Sequence, residues 1–133
     1  MSARCSCRAV ARPDGGGLHW LEIDLANRGT APVEVTTDEP FAAFGLRASG
    51  AGGTPVPVHV PALDIGVREV ARRVGPGETV RLPTPIRLRL AAGVEPAEDR
   101  FVWTVDHDPA GLTLVLDLGL PPPFDVACPV ELA

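Results

Sequence analysis

The residues able to do chemistry are few and scattered. Cys5 and Cys7 form a Cys-x-Cys pair, and Cys128 stands near the other end of the chain. Three thiolates and one histidine would make a four-ligand set suited to zinc or copper. The spacing is not the Cys-x-x-Cys of common zinc knuckles, however, and no second pair follows. A nucleophilic cysteine needs a histidine base within reach, and only His19 is close in sequence. Asp106-His107-Asp108-Pro109 puts two carboxylates and an imidazole on one loop, the raw material of a cation site. It lacks the further acidic ligands of an EF-hand loop, and Asp, Pro and the following Gly111 are also turn formers. His19, His59 and His107 make no H-x-H or H-x-x-x-H pair. His19 and Glu22 are three apart, which on a strand means opposite faces. No Gly-rich phosphate loop, serine elbow or paired-carboxylate helix occurs. The expectation is no enzyme and no cofactor, with the cysteines acting as small buried hydrophobes.

The elements that must carry these residues are strands. Across residues 79–90, Val80, Leu82, Ile86, Leu88 and Leu90 fall on even numbers, while Arg81, Arg87 and Arg89 fall on odd ones. Period two gives one dry face and one cationic face. Leu112, Leu114, Leu116, Leu118 and Leu120 repeat the alternation. Leu21, Ile23 and Leu25 alternate with Trp20, Glu22 and Asp24, so Trp20 falls on the outer face unless a loop or the first strand covers it. Cys5, Cys7 and Ala9 face in, with Arg4, Arg8 and Arg12 outward. Val33 and Val35 face in, and Phe44 and Leu46 share a parity. Phe101, Trp103 and Val105 form a further strand; Phe124, Val126, Cys128, Val130 and Leu132 form the last, blunted by Pro129. Val56, Val58 and Val60 alternate with prolines, which reads as an edge strand or an extended loop. Residues 61–74 are the least legible region, and Asp64 to Arg73 fit either a short helical turn or a strand. Pro83 and Pro85 predict a kink, or a switch between sheets, near Thr84.

Punctuation is dense, with 14 Gly and 15 Pro among 133 residues. Pro13-Asp14-Gly15-Gly16-Gly17, Asn27-Arg28-Gly29 and Gly75-Pro76-Gly77-Glu78 read as turns, with Asn27 and Gly29 suited to left-handed backbone. About eight or nine short strands with one wet face predict an all-β, antiparallel, two-sheet β-sandwich. With no internal repeat or linker in view, residues 1–133 are expected to form one domain.

All 12 basic residues are arginine, and the codon bias this implies suggests a GC-rich, bacterial genome. The net charge of −5 disfavours nucleic acid as a partner. No apolar run approaches the roughly 18 residues of a membrane span, and the N-terminus shows no signal-peptide h-region, so a cytoplasmic location is expected.

On Asn27-Arg28-Gly29, Val33-Glu34-Val35 and Pro76-Gly77-Glu78 the chain resembles bacterial immunoglobulin-like sandwich modules. It resembles less closely the bacterial intracellular proteinase inhibitor family, whose order of elements is similar; Trp20 and Trp103 lie in other strands than that family's aromatics. The resemblance implies an immunoglobulin or fibronectin-III-like sandwich and leaves function open. The favoured reading is a non-catalytic module that binds another protein or a second copy of itself. Trp20, Arg81, Arg87 and Arg89 would carry recognition on an outer face. A small metal- or thiol-dependent enzyme using Cys5, Cys7, Cys128 and a histidine is the reading from another class, and proteinase inhibition is a variant of the first.

Overall fold

A computed structural model describes residues 5–42, 44–62, 65–124 and 127–133. The chain is all-β. In order it forms β1 (Cys5–Pro13), β2 (His19–Asn27), β3 (Val33–Glu39), β4 (Gly45–Ser49), β5 (Pro55–Val56) and β6 (Val58–His59). These are followed by β7 (Arg68–Val74), β8 (Thr79–Leu82), β9 (Arg87–Leu90), β10 (Val102–Val105), β11 (Thr113–Asp117) and β12 (Ala127–Leu132). A 3₁₀ turn at Ala51–Gly53 is the only helical element among the described residues.

The strand number exceeds expectation because prolines divide two of the runs and the undecided region adds β7. Pro83 and Pro85 separate β8 from β9, and Pro57 separates β5 from β6. Proline has no N–H for the ladder, so pairing stops and restarts around it. The ambiguous stretch after residue 60 resolves as strand from Arg68 onward. Arg4, Asp64 and Val126 lie outside the described residues.

Among the described residues, ten strands lie in one sheet. The order is β5-β4-β11-β12-β1-β2-β9-β10-β6, and β8 also pairs with β2. The ends of this path, β5 and β6, are separated in sequence by Pro57 alone, so the sheet curls almost into a barrel. β3 and β7 form a separate two-stranded ribbon. The expected arrangement was two antiparallel sheets. The main sheet is instead mixed, with β1 parallel to β12 and β9 parallel to β10. Two causes are visible. β1 pairs with β2 along its full length on one side and with β12 on the other, which joins the would-be sheets into one. Residues 91–101 form a crossover instead of a tight hairpin, so β10 starts level with the start of β9.

Parity survives this change of topology. Leu21, Ile23, Leu25, Leu82, Ile86, Leu88 and Leu90 are buried, as are all five leucines from Leu112 to Leu120. Full burial of such a side chain contributes roughly 1.5–3 kcal/mol. One core cluster gathers Ile23, Leu25, Leu82, Leu116 and Cys128 under the ribbon residues Val33, Val35 and Val74. A second gathers Leu21, Ile86, Leu88, Trp103, Val105 and Leu114. Phe44, Leu46 and Val130 pack against both. On β10, Val102 and Thr104 are buried as well, because the preceding loop covers that face and Ala97 N–H donates to Thr104 Oγ1.

The Asn27-Arg28-Gly29 segment turns without left-handed backbone: neither Asn27 nor Gly29 has a positive φ. Asn27 is buried and works as a junction. Its Nδ2 donates to the carbonyls of Ala31 (2.7 Å) and Val74 (3.0 Å), and its Oδ1 accepts from Gly29 N–H at 2.9 Å. Its backbone N–H donates to Glu78 O, and Gly77 N–H donates to Asn27 O. Gly77 does take a positive φ of 76°, which lets the 75–78 turn fold back onto Asn27. Among the described residues no helix is long and apolar enough to cross a membrane.

Candidate binding face

Even-numbered residues of β2 point away from the core, and strand register decides what they meet. Trp20 lies opposite Arg12 on β1 and opposite Arg87 on β9. It is 46% exposed, against near-complete burial of Trp103. The Arg87 guanidinium sits 3.8 Å from the Trp20 ring centroid, a cation–π contact. Arg87 also approaches Asp14 at 3.7 Å. Asp14 is fixed by its own turn, where Oδ1 accepts from Gly16 N–H at 2.7 Å and Leu18 N–H at 3.2 Å. The Gly16 hydrogen bond, aided by Leu18 and Arg87, holds this carboxyl below its ordinary value.

The rest of the face is a lattice of opposite charges. Arg81 binds Asp24 in bidentate fashion at 2.9 and 3.1 Å and reaches Glu22 at 2.7 Å. Arg12 also bonds Glu22. Arg8 and Glu131 pair at 3.1 and 3.0 Å and so link β1 to β12. The Arg8 hydrogen bond keeps Glu131 below its usual carboxyl range, and Asp24 raises Arg81. Val10 shares the outward parity of Arg8 and Arg12 yet is buried between them. The arginine stripe does point outward, but its members are not alike. Arg81 is saturated by two carboxylates, whereas Arg87 and Arg89 border open space.

That space was not visible in the sequence. The Gly16–Leu18 turn and the loop before β10 leave a cleft of about 530 Å³, bordered by Leu18, Arg89, Glu98, Asp99 and Val102. A smaller one of about 260 Å³ adjoins it, sharing Leu18, Asp99 and Val102 and bordered also by Pro85, Arg87 and Phe101. The clefts depend on residues far apart in the chain, so no local pattern announces them. A third cleft, of about 490 Å³, opens where the sheet nearly closes, between Leu46, Ala48, Val56, Val58 and Val115.

The other candidate residues separate. Asp106 Oδ1 accepts from Gly93 N–H at 2.7 Å and Asp108 Oδ1 from Ala92 N–H at 3.4 Å, so both carboxylates cap a neighbouring turn. His107 packs against Gly50, where a side chain would come within 3.1 Å of Nε2. Among the described residues no group of three His, Cys, Asp or Glu is placed to hold a metal ion. Cys5 and Cys7 are half-buried and Cys128 is buried, all against one core cluster. Cys5 lies opposite Asn27, whereas His19 lies opposite Pro13 at the far end of β1. Eight residue steps, about 26 Å, separate those positions, so His19 cannot act as a base for Cys5. His59 sits on β6, opposite Thr104. His19 Nδ1 and Trp103 Nε1 are buried without a hydrogen-bond partner among the described residues, and both residues lie opposite Leu88.

No protein-family model, curated protein or solved structure matches this chain.

Proposed function

We propose that this chain is a non-catalytic, immunoglobulin-like β-module of the cytoplasm that binds another protein through the outer face of β1, β2 and β9. One observation carries the reading: Trp20, 46% exposed, is held by the Arg87 guanidinium stacked over its ring. A large ring fixed in place loses little entropy on binding, and Trp and Arg are the residues that most often dominate interface energies. The surrounding ion pairs suit a hydrated rim, where charges contribute orientation more than affinity. Arg81 belongs to that rim, since an acidic partner would have to displace Glu22 and Asp24. Arg87 and Arg89, beside the clefts, are better placed to receive a partner's carboxylate.

The test is site-specific photo-crosslinking. A benzophenone amino acid at position 12, opposite Trp20 on β1, should trap a defined partner, while one at Glu34, on the outer face of the ribbon, should not. Against the trapped partner, Trp20→Ala and Arg87→Ala should each weaken affinity by about thirtyfold, the effect of a typical hot spot. Arg81→Ala should change it less than threefold. Melting temperatures should stay close to that of the parent. Undiminished affinity in both of the first two variants would show that the face is wrongly chosen.

A further inference from the structure

One row of inward side chains crosses the main sheet. Leu46 lies opposite Leu116, and Leu116 opposite Cys128. From the other side, Val80 lies opposite Leu25, and Leu25 opposite Cys7. The two halves meet where β1 and β12 run parallel, with Ala9 opposite Val130. Carrying that register back by two residues sets Cys7 level with Cys128. The hydrogen-bonded ladder stops short of them, at Ala9 and Val130, because Pro129 has no N–H to continue it. Both residues face the same core: Cys128 belongs to the cluster, and Cys7 packs against it. Where the ladder holds, neighbouring strands lie about 4.8 Å apart; a disulfide spans roughly 4.4–6.8 Å between Cα atoms, so two residues beyond the ladder's end the strands have about 2 Å in which to separate. Cys5 is two residues further back along β1, about 7 Å beyond the level of Cys128.

We propose that Cys7 and Cys128 are a dithiol that closes to a reversible disulfide, fastening the first strand of the fold to the last. The oxidant is a low-molecular-weight disulfide such as oxidised glutathione. Cys7 is half-buried and meets it first. The Cys7 thiolate attacks one glutathione sulfur, the glutathione S–S bond breaks, and a glutathione thiolate leaves and takes up a proton. The Cys128 thiolate then attacks the Cys7 sulfur and expels the second glutathione thiolate, which is protonated in turn. Two protein thiols are oxidised, one glutathione disulfide is reduced, and two glutathione thiols are released. The bond would close a loop of more than a hundred residues, the case in which a cross-link constrains the unfolded chain most.

The experiment uses the intact folded protein, incubated with oxidised glutathione and quenched with acid. The denatured mass should fall by the two hydrogens of one disulfide, and peptide mapping should find Cys7 joined to Cys128. Cys5→Ala should form the same bond, and Cys128→Ala should stop at a glutathione adduct on Cys7. The oxidised parent should melt about 5 °C or more above the reduced form, and dithiothreitol should reverse both changes. Only stable glutathione adducts in the parent, or a bond that includes Cys5, would overturn the proposal. The mapping needs no variant, so a poorly folding substitution leaves it decisive.

Discussion

Asn27 shows how much one polar side chain can hold. It is 1% exposed and bridges β2, the turn after it and the end of β7 through three side-chain hydrogen bonds. Asn27→Ala leaves the Val74 carbonyl buried without that donor and removes the acceptor of Gly29 N–H. The buried Val74 carbonyl so orphaned costs roughly 1–3 kcal/mol and the part-buried Gly29 N–H less, so a loss of about 2–4 kcal/mol is expected. Urea unfolding followed by tryptophan fluorescence measures it as a lower midpoint at unchanged slope. Asn27→Asp should not rescue stability, because a carboxylate cannot donate to two carbonyls. Sequence reasoning recognised Asn27 as punctuation and missed its partners, since Val74 is 47 positions away. The same separation governs the binding face. The outward direction of Trp20 follows from the parity of its own strand. That Arg81 is spent on Glu22 and Asp24, while Arg87 lies over the indole, depends on which strands are neighbours.

At the scale of the element, local alternation was an accurate guide to what is buried and a poor one to what pairs with what. A strand buries the same parity whether its neighbour is parallel or antiparallel, so the two parallel pairs left no trace in the pattern. Two limits were misread where proline or loop cover intervened: Phe124 lies in the turn that follows Pro121, and β10 is covered on both faces. The five-leucine run makes the strongest claim at this level. Leu116, at 0% exposure, stands opposite Leu46 on one side and Cys128 on the other. Leu116→Asp puts a carboxylate in that row with no counter-charge and should abolish the cooperative circular dichroism melt at neutral pH. Leu116→Ala leaves a cavity and should cost about 2–5 kcal/mol while the melt stays cooperative. An unchanged melt for the aspartate variant would remove β11 from the core.

For the molecule as a whole, the arrangement of the first and last strands matters most. β1 and β12 are neighbours, so the seam between them joins residues more than a hundred positions apart. On the inner side that seam brings the Cys7 and Cys128 positions level; on the outer side Arg8 and Glu131 bridge it. The bridge makes stability depend on acid in a definite direction. Arg8 holds the folded-state Glu131 carboxyl below its ordinary value of 4.5. Above that value the carboxylate is ionised in both the folded and unfolded chains, and the bridge contributes in full. As pH falls through the depressed folded value, the proton taken up breaks the bridge and its contribution disappears. Asp14, lowered from 3.8 by the Gly16 and Leu18 hydrogen bonds, acts in the same direction at somewhat lower pH. Thermal melts between pH 7 and pH 3 test this. Glu131→Gln should melt below the parent at pH 7, and the gap should close as the pH drops below about 4.5. At neutral pH, molar salt should narrow the same gap, because both partners are well exposed and screening acts on them directly. A gap that stays constant with both pH and salt would mean that the substitution acts through packing, with the charge pair contributing nothing to the seam.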